Sequence, residues 1–238
     1  MDKFLDRYIF SYTQNFIGRA SLTKDGLPKY SEAEELFNSI SHLIGVFLGL
    51  FMIIVSCIFG KGAYGMLSGL IFGLSLIVLY SSSSIYHGLS YKRSKTKRLF
   101  RIADHCSIFI LIAGTCSPFI FSASKTDLTS VNWTYYSFIW IIAFLGILVL
   151  IIDMDKFKTI SVIMYVIMGL SLFYFSNSFV SVITSNGFTL LVGGGLIYLI
   201  GFLFYGFGSK IPWMHSVFHV LCLIASGLHC VCIVLYTL

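Results

Sequence analysis

The segment HSVFHVLCLIASGLHCVCIVLY, residues 215–236, indicates a membrane-spanning helix because its 22 residues include no Asp, Glu, Lys or Arg. About 20 apolar residues are enough for a helix to cross the roughly 30 Å hydrocarbon core of a bilayer. Such runs are continuously apolar rather than alternating, which favours helices over a β-barrel. Seven of them occur along the chain, at approximately residues 40–59, 63–88, 102–122, 133–152, 160–182, 188–208 and 213–236. The sequence therefore predicts an all-α membrane protein, a seven-transmembrane helix bundle.

The overall composition agrees with a membrane domain. Of the 238 residues, 57% are hydrophobic and 11% are charged, whereas a soluble domain is nearer half apolar and a quarter charged. The six cysteines fall in apolar runs and form no C-x-x-C pair. This pattern is typical of small buried hydrophobic residues and does not indicate a thiolate zinc ribbon.

The basic residues predict the orientation in the membrane. Counted along the seven spans, fourteen Lys and Arg residues fall on one side, and only Lys61 and Lys125 fall on the other. Cytoplasmic loops carry such an excess, so we expect a cytoplasmic N-terminus and an external C-terminus. No basic patch is interleaved with exposed aromatic residues, so nucleic acid is not an expected partner.

The start of the first helix is marked by Ser31-Glu32-Ala33-Glu34. This spacing is typical of a capping box, in which Ser31 and Glu34 satisfy each other's backbone N–H groups. The first helix is therefore expected to begin at about residue 31. Residues 1–30 are interpreted as a cytosolic or interfacial arm, and residues 31–238 as the seven-helix transmembrane domain.

Glycines recur at intervals of four in the second span, at Gly65, Gly69 and Gly73. Small residues at this spacing let two membrane helices approach closely. We interpret the motif as helix packing inside the bundle. The same motif could support oligomerisation, which is not predicted.

Five polar residues from three spans are expected at the cytoplasmic end of the bundle: Ser83, His87, Asp104, His215 and His219. Within the pairs Ser83/His87 and His215/His219 the spacing is four residues, so each pair shares a helix face. Asp104 lies in the first turns of the third span and is the one acid within the core of any predicted span. Because ionisable groups at membrane depth are expensive, they indicate a functional site.

These residue types suit a zinc site with an open coordination position. Zinc binds neutral imidazole nitrogens at about 2.0–2.1 Å, and a catalytic site keeps one position for water. The expected ligands are His87, His215 and His219. Bound zinc lowers the pKa of its water to about 7 and polarises carbonyl groups. Asp104 could orient that water, accept its proton or fix an imidazole tautomer, with Ser83 as a further hydrogen-bond donor. A direct zinc–Asp104 bond remains an alternative.

The other three histidines are expected to play supporting parts. His42 and His105 lie at the same membrane level as the proposed site, and we interpret both as polar contacts around it. His229 lies ten residues beyond His219, which is about 15 Å along a helix. This is too deep for the proposed site, so His229 is expected to form a hydrogen bond within the bundle.

Several of these residues also lie in stretches that resemble a known family. The chain resembles the hemolysin III family, the bacterial branch of the progestin and adipoQ receptor superfamily. The matching stretches are ELFNSISHLIG (residues 35–45), SSSIYH (82–87), DHCSIFILIAGTCSP (104–118) and HSVFHVLCLIASGLH (215–229). The resemblance implies a seven-helix bundle with a cytoplasm-facing zinc site. It assigns the ligands to His87, His215 and His219 and places Asp104 and Ser83 around the bound water.

The resemblance implies two different activities. Receptors of this superfamily resemble ceramidases, which favours a zinc-dependent hydrolase of lipid amide bonds acting on membrane lipids such as ceramide. The bacterial branch is instead named for a haemolytic, pore-forming activity. A continuous polar lining is hard to build here, because the polar groups cluster at one end of the bundle. A ligand-sensing receptor is a third alternative. The hydrolase is our first hypothesis, with Zn²⁺ as cofactor and the multi-pass cell membrane as location.

Overall fold

Six long helices dominate the computed structural model, which describes residues 22–23, 26–123, 129–174, 177–208 and 210–238. All six are long and apolar enough to cross a membrane, and no β-strand occurs among the described residues. The helices are α1 (Glu32–Phe59), α2 (Gly62–Gly88), α3 (Ser94–Ala123), α4 (Thr129–Tyr174), α5 (Asn177–Gly208) and α6 (Met214–Tyr236), with a short 3₁₀ helix at Tyr91–Arg93. The prediction of an all-helical membrane protein is confirmed.

Helix α4 accounts for the difference between seven predicted spans and six helices. Its 46 residues are interrupted at Asp153, whose φ of −159° and ψ of 91° are not helical. The Asp153 carboxylate accepts a hydrogen bond from the Lys156 N–H at 3.1 Å, as the capping residue of a new helix does. The hydroxyls of Tyr135 and Ser171 are 2.9 Å apart, although a straight helix would separate them by about 54 Å. The two halves of α4 therefore fold back against each other at Asp153.

The N-terminus of α1 is capped as predicted and is tied to α6. The Ser31 hydroxyl accepts from the Glu34 N–H at 3.3 Å, and Glu34 accepts from the Ser31 N–H at 3.0 Å. The other carboxylate oxygen of Glu34 accepts the Trp213 N–H at 2.6 Å. Trp213 precedes α6 with a left-handed φ of +66°, which is uncommon for a residue with a Cβ. This bond holds the first turn of α6 beside the first turn of α1.

Helix α1 presents a large apolar face to the outside of the bundle and mostly small or polar residues to the inside. The buried face of α1 includes Glu35, Asn38, His42, Gly45 and Gly49. Its exposed face carries large apolar side chains, including Leu36, Phe47, Ile54 and Ile58. A hydrocarbon solvent stabilises this arrangement, because lipid tails accept the apolar face while polar groups must find partners within the bundle.

The glycine motif of α2 lies in the interface with α1. A Cβ added to Gly73 would lie 2.8 Å from the Gly49 carbonyl oxygen, and one added to Gly49 would lie 2.7 Å from the Gly73 carbonyl oxygen. Gly69 faces Ser56 of α1, and Gly65 faces Gly60 beyond the end of α1. The two backbones therefore approach within one chain at these positions, which leaves no room for side chains between them.

Substituting Gly73→Ala should destabilise the protein by about 1–3 kcal/mol, because the new methyl group meets backbone that no rotamer change can move. The matched control is Gly227→Ala, since nothing lies within 4 Å of a Cβ at that position. Thermal unfolding of the purified proteins in detergent measures the difference. An unchanged melting temperature for Gly73→Ala would contradict the close α1–α2 packing.

Candidate metal centre

Three buried histidines from two helices converge on one point. His87 lies near the end of α2, and His215 and His219 lie one turn apart at the start of α6. The Nε2 atom of His215 is 3.3 Å from that of His87 and 3.1 Å from that of His219. Each of the three rings offers a ligand nitrogen within 4.8 Å of the other two. The structure therefore brings together the three histidines that the sequence singled out.

The spacing of the three rings and the tautomer of His87 fit a bound zinc ion. Zn–N distances of about 2.0–2.1 Å place the nitrogens of a tetrahedral site about 3.4 Å apart. His87 Nδ1 lies 2.6 Å from Glu35 and donates its proton to that carboxylate, so His87 Nε2 presents a lone pair. A proton on His215 Nε2 could form a hydrogen bond to the lone pair of only one neighbouring nitrogen. A cation could instead bind the lone pairs of all three nitrogens at once.

Glu35 of α1 orients His87, and the sequence analysis did not identify this role. One carboxylate oxygen contacts His87, and the other contacts Lys97 Nζ at 2.9 Å and the Tyr91 hydroxyl at 2.5 Å. Carboxylates that accept the second N–H of a ligand histidine fix its tautomer and ring orientation. The sequence holds one signal for this role, since Glu35 lies on the same helical stripe as His42. Acidic residues are also common in the first turn of any helix, so the position of Glu35 alone does not distinguish the two roles.

The remaining contacts from α1 support His219. The His219 ring faces the backbone carbonyl of Asn38. His42 stacks on His219 with ring centroids 3.6 Å apart and an angle of 20° between the planes. Glu35, Asn38 and His42 are spaced three and four residues apart, so one face of α1 forms a wall behind two of the three histidines.

Ser83 and Asp104 lie beside each other on the wall of a cavity that reaches the histidines. The cavity has a volume of about 160 Å³ and is also lined by His42, His215 and His219. Among the described residues, the group able to hold one ion comprises the three histidines and not Asp104. The carboxylate is therefore placed to act on what enters the cavity rather than to join the nitrogen cluster.

The chain segment before α1 covers the site. The Tyr30 ring stacks on His215, with centroids 4.9 Å apart, and its edge approaches His87 at 5.7 Å. The Tyr30 N–H donates to the Tyr91 hydroxyl at 2.9 Å, and Leu27 is fully buried. Sequence reasoning treated this segment as part of a separate arm and missed Tyr30. Most of that predicted arm, residues 1–21 and 24–25, lies outside the described residues.

The two other histidines lie away from the nitrogen cluster. His105 lines the cavity, and its carbonyl oxygen accepts the Tyr165 hydroxyl at 2.7 Å. His229 Nε2 lies 3.1 Å from the Leu191 carbonyl oxygen, so it forms the hydrogen bond within the bundle that the sequence predicted. Neither belongs to the group of histidines that could hold one ion.

A family model and several known proteins are similar to this chain over most of its length. The family model described as Haemolysin-III related matches residues 30–230. The chain is 34% identical over 207 residues to the hemolysin-3 homolog of Bacillus subtilis, an alignment covering 85% of this chain and 94% of that protein. It is 31% identical over 208 residues to hemolysin-3 of Bacillus cereus, covering 86% and 92%. It is also similar to the human monocyte to macrophage differentiation factor, with 28% identity over 165 residues, covering 67% and 66%.

Metal analysis tests the histidine cluster directly. Wild-type protein should purify with zinc, and His215→Ala should lose it because one of three ligands is removed. Glu35→Gln should keep the ligands but weaken zinc affinity by about 10–100-fold, since the group that orients His87 no longer accepts as a carboxylate. Metal content by mass spectrometry and competition with a chelator measure both effects.

His229→Gln is the matched control for the metal analysis, because it removes a buried histidine from the same helix without touching the cluster. It should retain wild-type zinc content. Wild-type protein that binds no zinc after exposure to the metal would exclude the metal centre, and equal affinity in Glu35→Gln would exclude the orienting role of Glu35.

Proposed function

The chain belongs to the haemolysin-III related family and is a multi-pass protein of the cell membrane, and we propose that it is a zinc-dependent hydrolase of lipid amide bonds. Ceramides and other N-acyl lipids are the substrate class. The observation that carries the proposal is the convergence of three histidine nitrogens at the end of a cavity that also exposes a buried carboxylate. Such a cavity admits an apolar chain with a polar group at the histidine end.

In this proposal His87, His215 and His219 hold the metal. When bound, zinc supplies a Lewis acid that polarises a carbonyl group and makes a bound water more acidic. Glu35, itself held by Lys97, keeps the His87 ring turned so that Nε2 faces the other two histidines. The residues of α1 and α3 thus contribute by fixing the orientation of the ligands before substrate arrives.

Asp104 serves as the general base and acid. Its carboxylate accepts a proton from the attacking water, and the resulting carboxylic acid then donates this proton to the leaving amine nitrogen. One residue therefore both takes up and returns the proton that amide hydrolysis transfers. Ser83 lies beside Asp104 on the cavity wall, so a small movement of its hydroxyl would let it donate to this carboxylate. Tyr30 covers the histidines and restricts the entry of bulk water.

The apolar part of the cavity binds the acyl chain. Beyond the polar end its lining is largely aliphatic and aromatic, including Leu79, Ile108, Val166, Leu199 and Phe202. Such a wall offers few hydrogen bonds to a headgroup but stabilises hydrocarbon by removing it from water. The amide of an N-acyl lipid then lies at the histidine end, and the lipid partner is drawn from the membrane itself.

We further propose that the chain crosses the membrane seven times. The supporting observation is the fold-back of α4 at Asp153, whose two halves are each of spanning length. The fourteen-to-two distribution of basic residues supports a cytoplasmic N-terminus and an external C-terminus. The histidine cluster lies at the cytoplasmic end of the bundle in this topology.

A pore-forming cytolysin is the second candidate. It is favoured by the names of two relatives, hemolysin-3 of Bacillus cereus and its Bacillus subtilis homolog. A pore within one chain would need a continuous polar lining, whereas the deeper cavity wall is largely apolar. A pore between several copies would use the lipid-facing surface instead. A ligand-sensing receptor is the third candidate, and no contact among the described residues favours it specifically.

Purified wild-type protein in lipid nanodiscs should release fatty acid from ceramide or another N-acyl lipid in a zinc-dependent reaction. Asp104→Asn should retain zinc but lose turnover by about 10²–10⁴-fold, because the proton acceptor is removed. Glu32→Gln is the matched control, since that carboxylate is exposed and does not line the cavity. Fatty acid release is measured by mass spectrometry.

Absence of release from every ceramide and N-acyl lipid by the zinc-loaded protein would overturn the hydrolase. Dye release from liposomes distinguishes the second candidate. Leakage caused by wild-type protein and by His215→Ala to the same extent would favour a pore that does not need the metal.

Cysteine labelling tests the topology. In a Cys57→Ser background, which removes the one exposed cysteine among those described, Lys61→Cys should react with a membrane-impermeant maleimide in intact cells. Lys156→Cys should react only after permeabilisation, because it lies beside the α4 fold-back on the opposite side. Both positions are exposed. Labelling of both positions, or of Lys156→Cys alone, in intact cells would contradict the orientation.

A further inference from the structure

Arg101 of α3 is a buried cation in the cavity wall, and the proposed reaction does not use it. It lines the cavity near Asp104, and 7% of its side chain is accessible. Among the described residues its hydrogen-bond partners are the Gly26 carbonyl oxygen at 3.4 Å and Asp155 at 3.5 Å, both reached from Nη1. Charge-assisted bonds of this kind are usually about 2.7–2.9 Å long. The guanidinium is therefore held by two long contacts from one of its nitrogens.

The other two nitrogens of Arg101, Nε and Nη2, are open to a ligand. Neither donates to a described residue, and neither is among the described polar atoms that are fully buried without a partner, so both keep accessible surface. Since Arg101 lines the cavity, this surface is available to a molecule that enters it. The N–H groups of Nε and Nη2 point in the same direction, and such a fork matches the two oxygens of a carboxylate.

The charge of Arg101 is only partly balanced by the protein. Among the described residues, Asp155 is the one acid with an oxygen within 4.0 Å of this guanidinium. Asp155 is half-exposed and lies closer to Arg98, at 3.0 Å, so two guanidinium groups share one carboxylate. Asp104 is near enough to interact electrostatically but forms no ion pair with Arg101. Because an unpaired cation is costly to remove from water, a further carboxylate beside Nε and Nη2 would be stabilising.

Arg101 lies at the histidine end of the cavity. Its contact with Gly26 places it under the segment whose Tyr30 ring stacks on His215. Arg101 precedes Asp104 by three residues, which is about 4.5 Å along α3 and on the same helix face. The largely apolar wall proposed to hold the acyl chain lies beyond this end. A group bound by Arg101 would therefore belong to the amine half of the substrate and not to its acyl chain.

We propose that Arg101 binds a carboxylate on the amine half of the substrate, so that the preferred lipids are N-acyl amino acids. The proposal rests on the proposed function, because the amide is taken to lie at the histidine cluster beside Asp104. In an N-acyl amino acid a single carbon atom separates the carboxylate from the amide nitrogen, which suits the one-turn spacing of Arg101 and Asp104. Water would cleave the amide C–N bond to give a fatty acid and a free amino acid.

Ceramide fits this part of the cavity less well than an N-acyl amino acid. Its amine half offers neutral hydroxyl groups, which can accept from the guanidinium but cannot balance its charge. Hydrogen bonds to a charged partner are also stronger than those to a neutral one. Arg101 is therefore expected to set the order of preference among N-acyl lipids.

Ligand binding tests the role of Arg101 without requiring catalysis. Zinc-loaded Asp104→Asn protein, which does not consume the ligand, is titrated in nanodiscs with N-palmitoylglycine and with N-palmitoylglycinamide. The two ligands share one acyl chain and differ in the charge of the terminal group. Arg101→Gln, introduced into the same protein, should reduce the preference for N-palmitoylglycine by about 10- to 100-fold. Because both proteins lie in the same lipid, differences in ligand partitioning cancel in this comparison.

Two further variants control for charge and for folding. Arg93→Gln is the matched control, since this arginine lies just before α3 but is exposed and does not line the cavity; it should keep the full preference. Arg101→Lys should keep part of it, because lysine retains the charge but not the fork. A preference that persists in Arg101→Gln would assign the carboxylate to the metal and overturn the proposal. Equal weakening of both ligands in Arg101→Gln would make Arg101 structural and overturn it as well.

The outcome for Arg101 is distinguishable from that for the hydrolase. A preference for N-palmitoylglycine that depends on Arg101, in a protein whose wild type releases no fatty acid from any N-acyl lipid, would keep the carboxylate site and overturn the hydrolase. Zinc-dependent release of fatty acid from ceramide, with no preference that depends on Arg101, would do the reverse.

Discussion

The contact between Glu35 and His87 is the interaction on which the arrangement of the site depends. A carboxylate and an imidazole buried in a membrane bundle cannot rely on water, so each must be paired within the protein. Glu35 meets this requirement with three partners from two other parts of the chain, His87 of α2 and the Tyr91 and Lys97 side chains before and within α3. Lys97 in turn donates to the carbonyl oxygens of Tyr86 and Leu89 at the end of α2. Removing the carboxylate would leave a buried cation and a misaligned ligand together.

The neighbouring carboxylate, that of Glu34, connects α1 to the start of α6 in a similar way. Its carboxylate completes the capping box of α1 and accepts the Trp213 N–H, which holds the turn before His215. Two adjacent acids on α1 therefore align the helices that carry the three histidines. The segment around Tyr30 closes over this junction by stacking on His215. Hydrogen bonds at one end of the bundle position the site, while glycine contacts such as Gly49–Gly73 set the helix spacing deeper in the membrane.

Some parts of this arrangement follow from local sequence rules and others do not. The capping box, the helical spans and the i, i+4 histidine pair are local patterns, and each corresponds to a feature of the structure. Asp153 shows why the spans cannot be counted with certainty from sequence. A polar residue between two apolar runs predicts that the helix is interrupted, but it does not predict the direction in which the next helix runs. The contact between Tyr135 and Ser171 reveals that the two halves of α4 fold back. Glu35 shows why one part of the site could not be predicted. Glu32, Glu34 and Glu35 are equally suited to a helix N-terminus, so the sequence does not indicate which of them contacts a histidine.

The amino-acid sequence alone is enough to identify this protein as a multi-pass membrane bundle of the haemolysin III type with histidines at one end. The physical reason is that long apolar runs have few stable alternatives to membrane helices, and that ionisable residues within them are costly. The contact of Glu35 rather than Glu32 with His87, and the position of Asp104 on the cavity wall, are seen only in the three-dimensional structure. These outcomes depend on how the helices rotate and cross, which is set by side-chain packing between distant parts of the chain and not by any local pattern.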